Sequence, residues 1–187
     1  MWMVGSSLIK RLEEYVFATR AGDHSLGLSS RIVWMGSGGM CWNGAIACLR
    51  RSRRLPKPRV IVLHVGGNDL GGEPWTRLVS RMKRDLRWVL TEFPETTVLF
   101  SHILPRMRFW GQRDASSKAL NLAGRRMSKE ISTFLHKRGH GAIRHDGIRL
   151  EANVLDDRGV HLNDRGNEIF LNDFKYALTE VLSVNVQ

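Results

Sequence analysis

The feature that most constrains the fold is a regular alternation of short apolar runs with longer amphipathic stretches. Five runs are rich in aliphatic residues, as buried strands are: residues 1–4, 31–36, 59–65, 96–104 and 141–148. A stretch of helical character follows each run; after the third, Leu78, Met82 and Leu86 recur at the spacing of an amphipathic helix. Strands that alternate with helices form a parallel sheet with helices on both faces. The pattern therefore predicts a three-layer α/β/α protein, without specifying the order of the strands.

Length and composition predict one domain that needs neither a disulfide nor a structural metal. The chain has 187 residues without an internal repeat or a long linker, so we expect a single domain over residues 1–187. Cys41 and Cys48 lie seven residues apart, or ~10 Å along a helix, which is too far for a disulfide. No secretory leader and no membrane-spanning run is recognisable. We therefore expect an intracellular protein, either cytoplasmic or nuclear.

The formal charge of the chain is strongly positive. Lys and Arg number 29 against 18 Asp and Glu, which gives a net charge of +11. The basic residues concentrate in four segments: residues 50–59, 105–113, 124–129 and 136–138. A field of this sign attracts polyanions, so RNA or DNA is one candidate partner. The alternative is that these segments are solvated helix faces, since none of them matches a recognisable nucleic-acid motif.

Residues with catalytic chemistry stand where the predicted strands end. The first strand runs directly into Ser7, the second ends in a turn that contains Gly39, and the third ends on Asn68. His161 follows a glycine-containing turn just before the last helix. In open parallel sheets, ligands bind at the carboxyl ends of the strands. Each of these residues alone also has an ordinary structural explanation, such as a helix cap or a tight turn.

Taken together, the four residues have the chemistry of nucleophilic catalysis. A nucleophilic serine requires a general base, and it requires donors directed at the oxyanion that forms when it attacks a carbonyl group. Ser7 is the candidate nucleophile and His161 is the candidate base. The candidate oxyanion donors are the backbone amides of Ser7 and Gly39 and the side-chain amide of Asn68.

The order of these residues resembles the SGNH (GDSL-type) hydrolase superfamily. The matching motifs are Gly-x-Ser at Ser7, a glycine at Gly39, Gly-Gly-Asn-Asp around Asn68 and a late histidine at His161, and they span nearly the whole chain. The resemblance implies a flavodoxin-like sheet of five parallel strands, no cofactor, and a serine esterase that hydrolyses carboxylic (acyl or acetyl) esters through an acyl-enzyme. It also implies that Asp69 holds its loop rather than reacts. The phrases HVGGNDL, ILPR and GVHLND further resemble the retrotransposon-derived SGNH domains of vertebrate genomes.

One departure from the family pattern concerns the acid of the catalytic triad. The family motif is Asp-x-x-His, but Arg158 stands three residues before His161. Asp157, or else Asp156, completes the triad if the loop is shifted by one or two residues. Alternatively, a backbone carbonyl orients the imidazole in a Ser-His dyad, or the site is inactive. An inactive site favours the second functional hypothesis, a catalytically impaired scaffold that binds nucleic acid as an accessory domain of a retroelement-derived protein.

Other polar residues carry weaker functional signals. The loop over residues 105–117 mixes basic and aromatic side chains, among them Arg106, Arg108, Phe109, Trp110 and Arg113. Three roles are open for this loop: a lid over an acyl chain, a platform that stacks bases beside phosphates, or a loop pinned to the core by its aromatic rings. Three histidines in predicted strands are expected to be packed rather than catalytic: His64, His102 and His145. With no carboxylate at ligand spacing, no metal site is predicted.

Overall fold

The structure is a computed structural model that describes residues 1–20, 25–28, 30–109, 116–150 and 153–184. Its strands are β1 (Trp2–Gly5), β2 (Val33–Gly36), β3 (Val60–His64), β4 (Thr97–Ser101) and β5 (Gly141–Ile143). Its helices are α1 (Ser7–Thr19), α2 (Trp42–Ser52), α3 (Trp75–Glu92), α4 (Ser117–His136) and α5 (Asp164–Val184). Strands and helices alternate along the chain, as the apolar pattern predicts.

The five strands form one parallel sheet in the order β2-β1-β3-β4-β5. This is the flavodoxin-like order, so the predicted fold class is confirmed. The chain moves outward from β1 to β2 and then returns to build the rest of the sheet on the other side of β1. The order of the strands reverses between β1 and β3, which opens a crevice at their carboxyl ends. Ser7 follows β1 and Asn68 follows β3, so the two residues flank this crevice.

The last two strands are shorter than the apolar runs that predict them. β5 is the edge strand and pairs with β4 only from Gly141 to Ile143. The amide of His102 donates to the carbonyl oxygen of Ile143 at 2.9 Å, and both β4 and β5 end next to this bond. After Ile143 the side chain of His145 is buried and hydrogen-bonds to the Ser101 hydroxyl at 2.7 Å, whereas Arg144 and Asp146 are exposed. His102 and His145 therefore lie just past strand ends, not on strands as the sequence predicts.

Apolar side chains fill a core on each face of the sheet. Along β3, Ile61 and Leu63 belong to one core and Val60 and Val62 to the other, since successive side chains of a strand point to opposite faces. Helices α2, α3 and α4 cover the first core, and α1 and α5 cover the second. The result is the predicted three-layer arrangement. None of the described helices combines the length and the hydropathy needed to cross a membrane.

Two glycines bring the start of α1 against the strand ends. A Cβ atom on Gly5 would meet the side chain of Ile9 in α1, and one on Gly36 would lie 2.7 Å from the Cα atom of Lys10. Any larger residue would push α1 away from β1 and β2. Because Ser7 is the first residue of α1, this close contact also determines where its side chain stands.

Candidate active site

The structure brings Ser7 and His161 together across 154 residues of sequence. The Ser7 Oγ and His161 Nε2 atoms are 3.0 Å apart. Ser7 begins α1 directly after an extended Ser6, whose amide donates to the carbonyl oxygen of His64 at 3.3 Å. His161 stands in the turn before α5. A hydroxyl at this distance from an imidazole nitrogen is within reach of a general base.

Asp156 supplies the carboxylate that faces His161. Its Oδ2 atom is 3.6 Å from His161 Nδ1, an ion-pair distance that is longer than a hydrogen bond. Its Oδ1 atom accepts from the backbone amides of Val160 and His161, each at 3.2 Å. The turn is closed by Gly159, which adopts φ +67° and donates its amide to the carbonyl oxygen of Asp156 at 2.8 Å. His161 Nδ1 is buried and forms no hydrogen bond within the described part of the chain.

This geometry corrects the sequence-based preference for Asp157. The side chains of Asp157 and Arg158 are exposed, whereas Asp156 is half-buried beside the imidazole. The carboxylate is thus five residues before His161 instead of three. The four intervening residues form a tight turn, which brings Asp156 back to the imidazole ring. Arg158 points away into solvent, so its charge does not occupy the place of the triad acid.

The electrostatic environment favours a neutral imidazole and an ionised carboxylate. Burial and the charge of Arg11 hold the pKa of His161 below its ordinary value, and the nearby Asp156 opposes them only in part. Burial raises the pKa of Asp156, but the hydrogen bonds from the His161 and Val160 amides outweigh it and leave that pKa lowered. A neutral imidazole beside a serine hydroxyl is able to accept its proton.

Gly39 and Asn68 lie in loops at the same edge of the sheet. Gly39 adopts φ +68° in the turn before α2, a left-handed conformation that favours glycine. The Asn68 Nδ2 atom donates to the carbonyl oxygen of Met40 at 3.1 Å, and this bond joins the two loops. An amide nitrogen carries two hydrogens. Among the described residues, Asn68 Nδ2 donates one of them, to Met40, so the other is available to a ligand.

Asp69 has a structural role in this arrangement. Its two carboxylate oxygens accept from the backbone amide of Trp42, at 2.9 and 3.2 Å, at the start of α2. The Arg81 Nη2 atom lies 3.7 Å from the same carboxylate. Negative charge at a helix N-terminus is favourable, and the ion pair ties the loop to α3. These contacts hold the Asn68 loop against α2.

Arg106, which the sequence analysis names only as one of the basic residues of its loop, contacts the candidate oxyanion residue Asn68. Its side chain is buried, and its Nη1 atom donates to Asn68 Oδ1 at 2.9 Å. Gly67 leaves room for it, since a Cβ atom there would lie 3.0 Å from Arg106 Nη2. Asn121 holds the Arg106 backbone from both sides, accepting from its amide at 3.0 Å and donating to its carbonyl oxygen at 2.8 Å. Because a guanidinium can only donate, it directs the Asn68 amide nitrogen away from itself.

No local sequence signal distinguishes Arg106 from the other arginines of its basic segment. Its burial depends on the approach of the β4–α4 loop to β3, which is a tertiary contact. Of the other residues singled out in this loop, Phe109 packs against the core, as one of the three proposed roles requires, and Arg108 is exposed. Trp110 and Arg113 lie outside the described residues.

Of the three histidines that the sequence analysis expects to be packed, His64 and His145 are buried and His102 is half-buried. His64 and His145 hydrogen-bond to opposite sides of the Ser101 hydroxyl, at 2.8 and 2.7 Å. His145 Nδ1 also lies 2.8 Å from Asp173 Oδ2. Burial lowers the pKa of His102 to about 4, so this residue is neutral near pH 7. In the described ranges, no three His, Cys, Asp or Glu side chains approach closely enough to hold a metal ion.

Comparison with known families identifies the class of protein that has this fold. The model of the GDSL-like Lipase/Acylhydrolase family matches residues 14–169, and the chain belongs to this family. The match begins after Ser7 and includes Gly39, Asn68 and His161. Family membership supports a hydrolase function and confirms the resemblance to GDSL-type hydrolases.

Solved structures with the same fold come from several bacteria. A GDSL-like lipase from Bacteroides thetaiotaomicron is 14% identical with a TM-score of 0.75, over 96% of this chain and 87% of that chain. A family 3 carbohydrate esterase from Clostridium thermocellum is 19% identical with a TM-score of 0.72, over 98% and 96%. The psychrotrophic esterase EstA from Pseudoalteromonas sp., inhibited by monoethylphosphonate, is 10% identical with a TM-score of 0.67, over 97% of both chains. At these identities the likeness concerns the fold alone. A search of curated proteins finds no match.

Proposed function

We propose that the protein is a serine esterase that hydrolyses carboxylic esters through an acyl-enzyme. The observation that carries the proposal is the 3.0 Å approach of Ser7 Oγ to His161 Nε2, with the Asp156 carboxylate on the other side of the ring. Ser7 is the nucleophile, His161 the general base and Asp156 the acid that stabilises the imidazolium.

Each step of the proposed reaction has a candidate group in this site. The neutral His161 takes the Ser7 proton at Nε2 while Oγ attacks the carbonyl carbon. Asn68 Nδ2 and the amides of Gly39 and Ser7 stabilise the oxyanion of the tetrahedral intermediate. His161 then returns the proton to the leaving alkoxide, which departs and leaves an acyl group on Ser7. Water attacks this acyl-enzyme with the same base, and a carboxylic acid is released.

The 3.6 Å separation of Asp156 from His161 is compatible with this role. Catalytic hydrogen bonds are often long in proteins without substrate and shorten in the reacting complex. Closing the gap to a hydrogen bond requires a movement of less than about 1 Å, because an N–H···O bond spans about 2.7 to 3.2 Å. The backbone amides that bind the other oxygen of Asp156 keep the carboxylate in position.

The experiment that tests the proposal is hydrolysis of chromogenic esters of several acyl lengths. We expect Ser7→Ala to abolish turnover and Ser80→Ala to leave it unchanged, since Ser80 is exposed on α3. A phosphonate ester should label wild type once, and peptide mass spectrometry should locate the label on Ser7. Turnover by a folded Ser7→Ala protein would refute the assignment.

The hypothesis of a basic nucleic-acid-binding scaffold remains a separate prediction, supported by the net charge of +11. Its test is salt-dependent binding of an RNA or DNA oligonucleotide by Ser7→Ala, because binding should not require the nucleophile. Absence of binding near physiological salt would eliminate it. A retrotransposon origin, an intracellular location and a single domain over residues 1–187 likewise stay predictions.

A further inference from the structure

A large groove lies beside the candidate active site. Its volume is about 1350 Å³, and α4, the β4–α4 loop and the segment after β5 form its walls. Its floor along α4 consists of small residues, among them Gly124, Ser128 and Ser132. The groove is larger than the pockets of about 300 to 1,000 Å³ that hold drug-sized molecules. It therefore has room for an extended polar ligand.

The charge of the groove is almost entirely positive. Five of its described lining residues are cationic, two from α4, one directly after α4 and two from the segment after β5: Arg125, Lys129, Lys137, Arg144 and Arg149. Among the described lining residues the one acidic side chain, Asp146, pairs with Arg144 at 3.1 Å in a solvent-exposed bridge. Such bridges are weak, so this one leaves the positive field of the groove largely intact.

The three cations on and directly after α4 form no salt bridge in the part of the chain that the structure describes, although the charge of Glu130 acts on Lys129 and Lys137 from a greater distance. Within the described ranges, no carboxylate lies within 4.0 Å of Arg125, Lys129 or Lys137. The nearby Glu130 bonds instead to Lys83 on α3, at 2.6 Å. Arg125, Lys129 and Lys137 are thus available to bind an anion from solution.

The groove borders residues that hold Arg106, the side chain that orients the candidate oxyanion donor Asn68. Asn121, which holds the backbone of Arg106, is one of its lining residues, and so are Leu70 and Pro105. Leu70 is two residues from Asn68, and Pro105 immediately precedes Arg106. The groove therefore adjoins, through Leu70 and Pro105, the chain segments that carry Asn68 and Arg106.

We propose that this groove binds a small molecule that carries phosphate groups. Lys and Arg are the side chains that bind phosphate most strongly, and several of them here face one concave site. The shape disfavours a membrane surface, which is flat. The groove also lacks a stacking surface for nucleic-acid bases, because none of its described lining residues is Phe, Tyr or Trp.

A consequence follows for the substrate, and it rests on the proposed esterase function. If the phosphate groups occupy the groove while the ester reaches Ser7, the natural substrate is an ester of a phosphorylated molecule. The cations would then lower KM for such an ester and would leave hydrolysis of an uncharged ester unaffected.

The first test is calorimetric binding of inorganic tripolyphosphate near physiological salt. Wild type and Ser7→Ala should bind it equally, because the groove does not contain the nucleophile. Arg125→Gln/Lys129→Gln should bind about 100-fold more weakly, at about 10-fold for each charge-assisted hydrogen bond lost. The matched control is Arg53→Gln/Arg54→Gln, which removes the same charge from an exposed segment after α2 and should bind within about 2-fold of wild type.

Two results would overturn the binding site: no binding of tripolyphosphate, or equal weakening in both double variants. The second test compares acetylated glycerol 3-phosphate with acetylated glycerol, which differ only in the phosphate. The groove variant should lose about 10-fold or more in kcat/KM for the first ester alone, and equal loss for both esters would refute the substrate assignment. Binding without any hydrolysis would reject the esterase and leave the groove in place.

Discussion

Replacing Asp156 with asparagine tests the acid of the proposed triad most directly. The variant keeps the shape of the side chain, and its remaining oxygen still accepts from the Val160 and His161 amides. Only the charge opposite the imidazole is lost. The amide nitrogen that replaces Oδ2 also favours the wrong tautomer of His161, since it can only donate to Nδ1. With the proton on Nε2, the ring cannot accept the proton of Ser7.

The size of the effect follows from the distance between the two groups. At 3.6 Å and an effective dielectric of about 20, the carboxylate attracts an imidazolium by about 4 to 5 kcal/mol. The side chains of His161 and Asp156 are 16% and 24% exposed, so water screens part of this attraction. A remaining loss of about 3 to 4 kcal/mol corresponds to a kcat lower by about 10² to 10³-fold.

The assay is steady-state hydrolysis of a short-chain chromogenic ester over a range of pH. Asp156→Asn should reduce kcat strongly and KM little, because Asp156 stabilises a charge that develops in the transition state. The carboxylate favours the protonated ring, so its removal should also lower the pKa of His161 and move the acid limb of kcat/KM to lower pH. The matched control, Asp157→Asn, changes an exposed neighbour and should behave like wild type. An Asp156→Asn enzyme that keeps more than about a tenth of its kcat, or an equal loss in both variants, would refute the reasoning.

Three further predictions concern the surroundings of this triad. Arg106→Met should lower kcat by about 10 to 100-fold with little change in KM, because Asn68 loses the donor that orients its amide; the exposed Arg108→Met is the control. Gly36→Ala should reduce the free energy of unfolding by about 2 to 3 kcal/mol in urea titrations, since its Cβ atom would meet the backbone of α1, whereas Gly38→Ala, with no atom within 4 Å, should not. In wild type, the acid limb of kcat/KM should lie below pH 6.5, because burial and Arg11 lower the pKa of the base and so keep it neutral at lower pH.

Each of these predictions has a clear contrary outcome. Equal losses in Arg106→Met and Arg108→Met would assign the effect to net charge instead of the orientation of Asn68. Equal destabilisation by both glycine variants would mean that α1 does not depend on close contact with β2. An acid limb above pH 6.5 would contradict a half-buried His161 whose pKa is lowered.

Local patterns in the sequence already contain the fold class and much of the site. An apolar run indicates a strand that is buried on both faces, and an amphipathic stretch indicates a helix that is buried on one face. Both patterns can be read from residues that are close together in the sequence. Gathering Ser7, Gly39 and Asn68 at one edge needs only parallel strands, since the carboxyl ends of such strands meet there. The local pattern does not predict that β5 is short. The length of an edge strand depends on how many of its residues hydrogen-bond to the neighbouring strand, and here β5 pairs with β4 only from Gly141 to Ile143.

Other features depend on contacts between segments that are distant in sequence. Asp156 rather than Asp157 faces His161 because a turn with Gly159 at positive φ brings Asp156 back beside a ring five residues further along the chain. The family motif, with its acid three residues before the histidine, does not predict this turn. Arg106 becomes part of the site only because the β4–α4 loop packs on β3, and its sequence neighbours are equally basic. The basic groove likewise exists only once α4 and the segment after β5 face each other. The sequence by itself determined which residues have the chemistry, and the tertiary structure decided which of them point at one another.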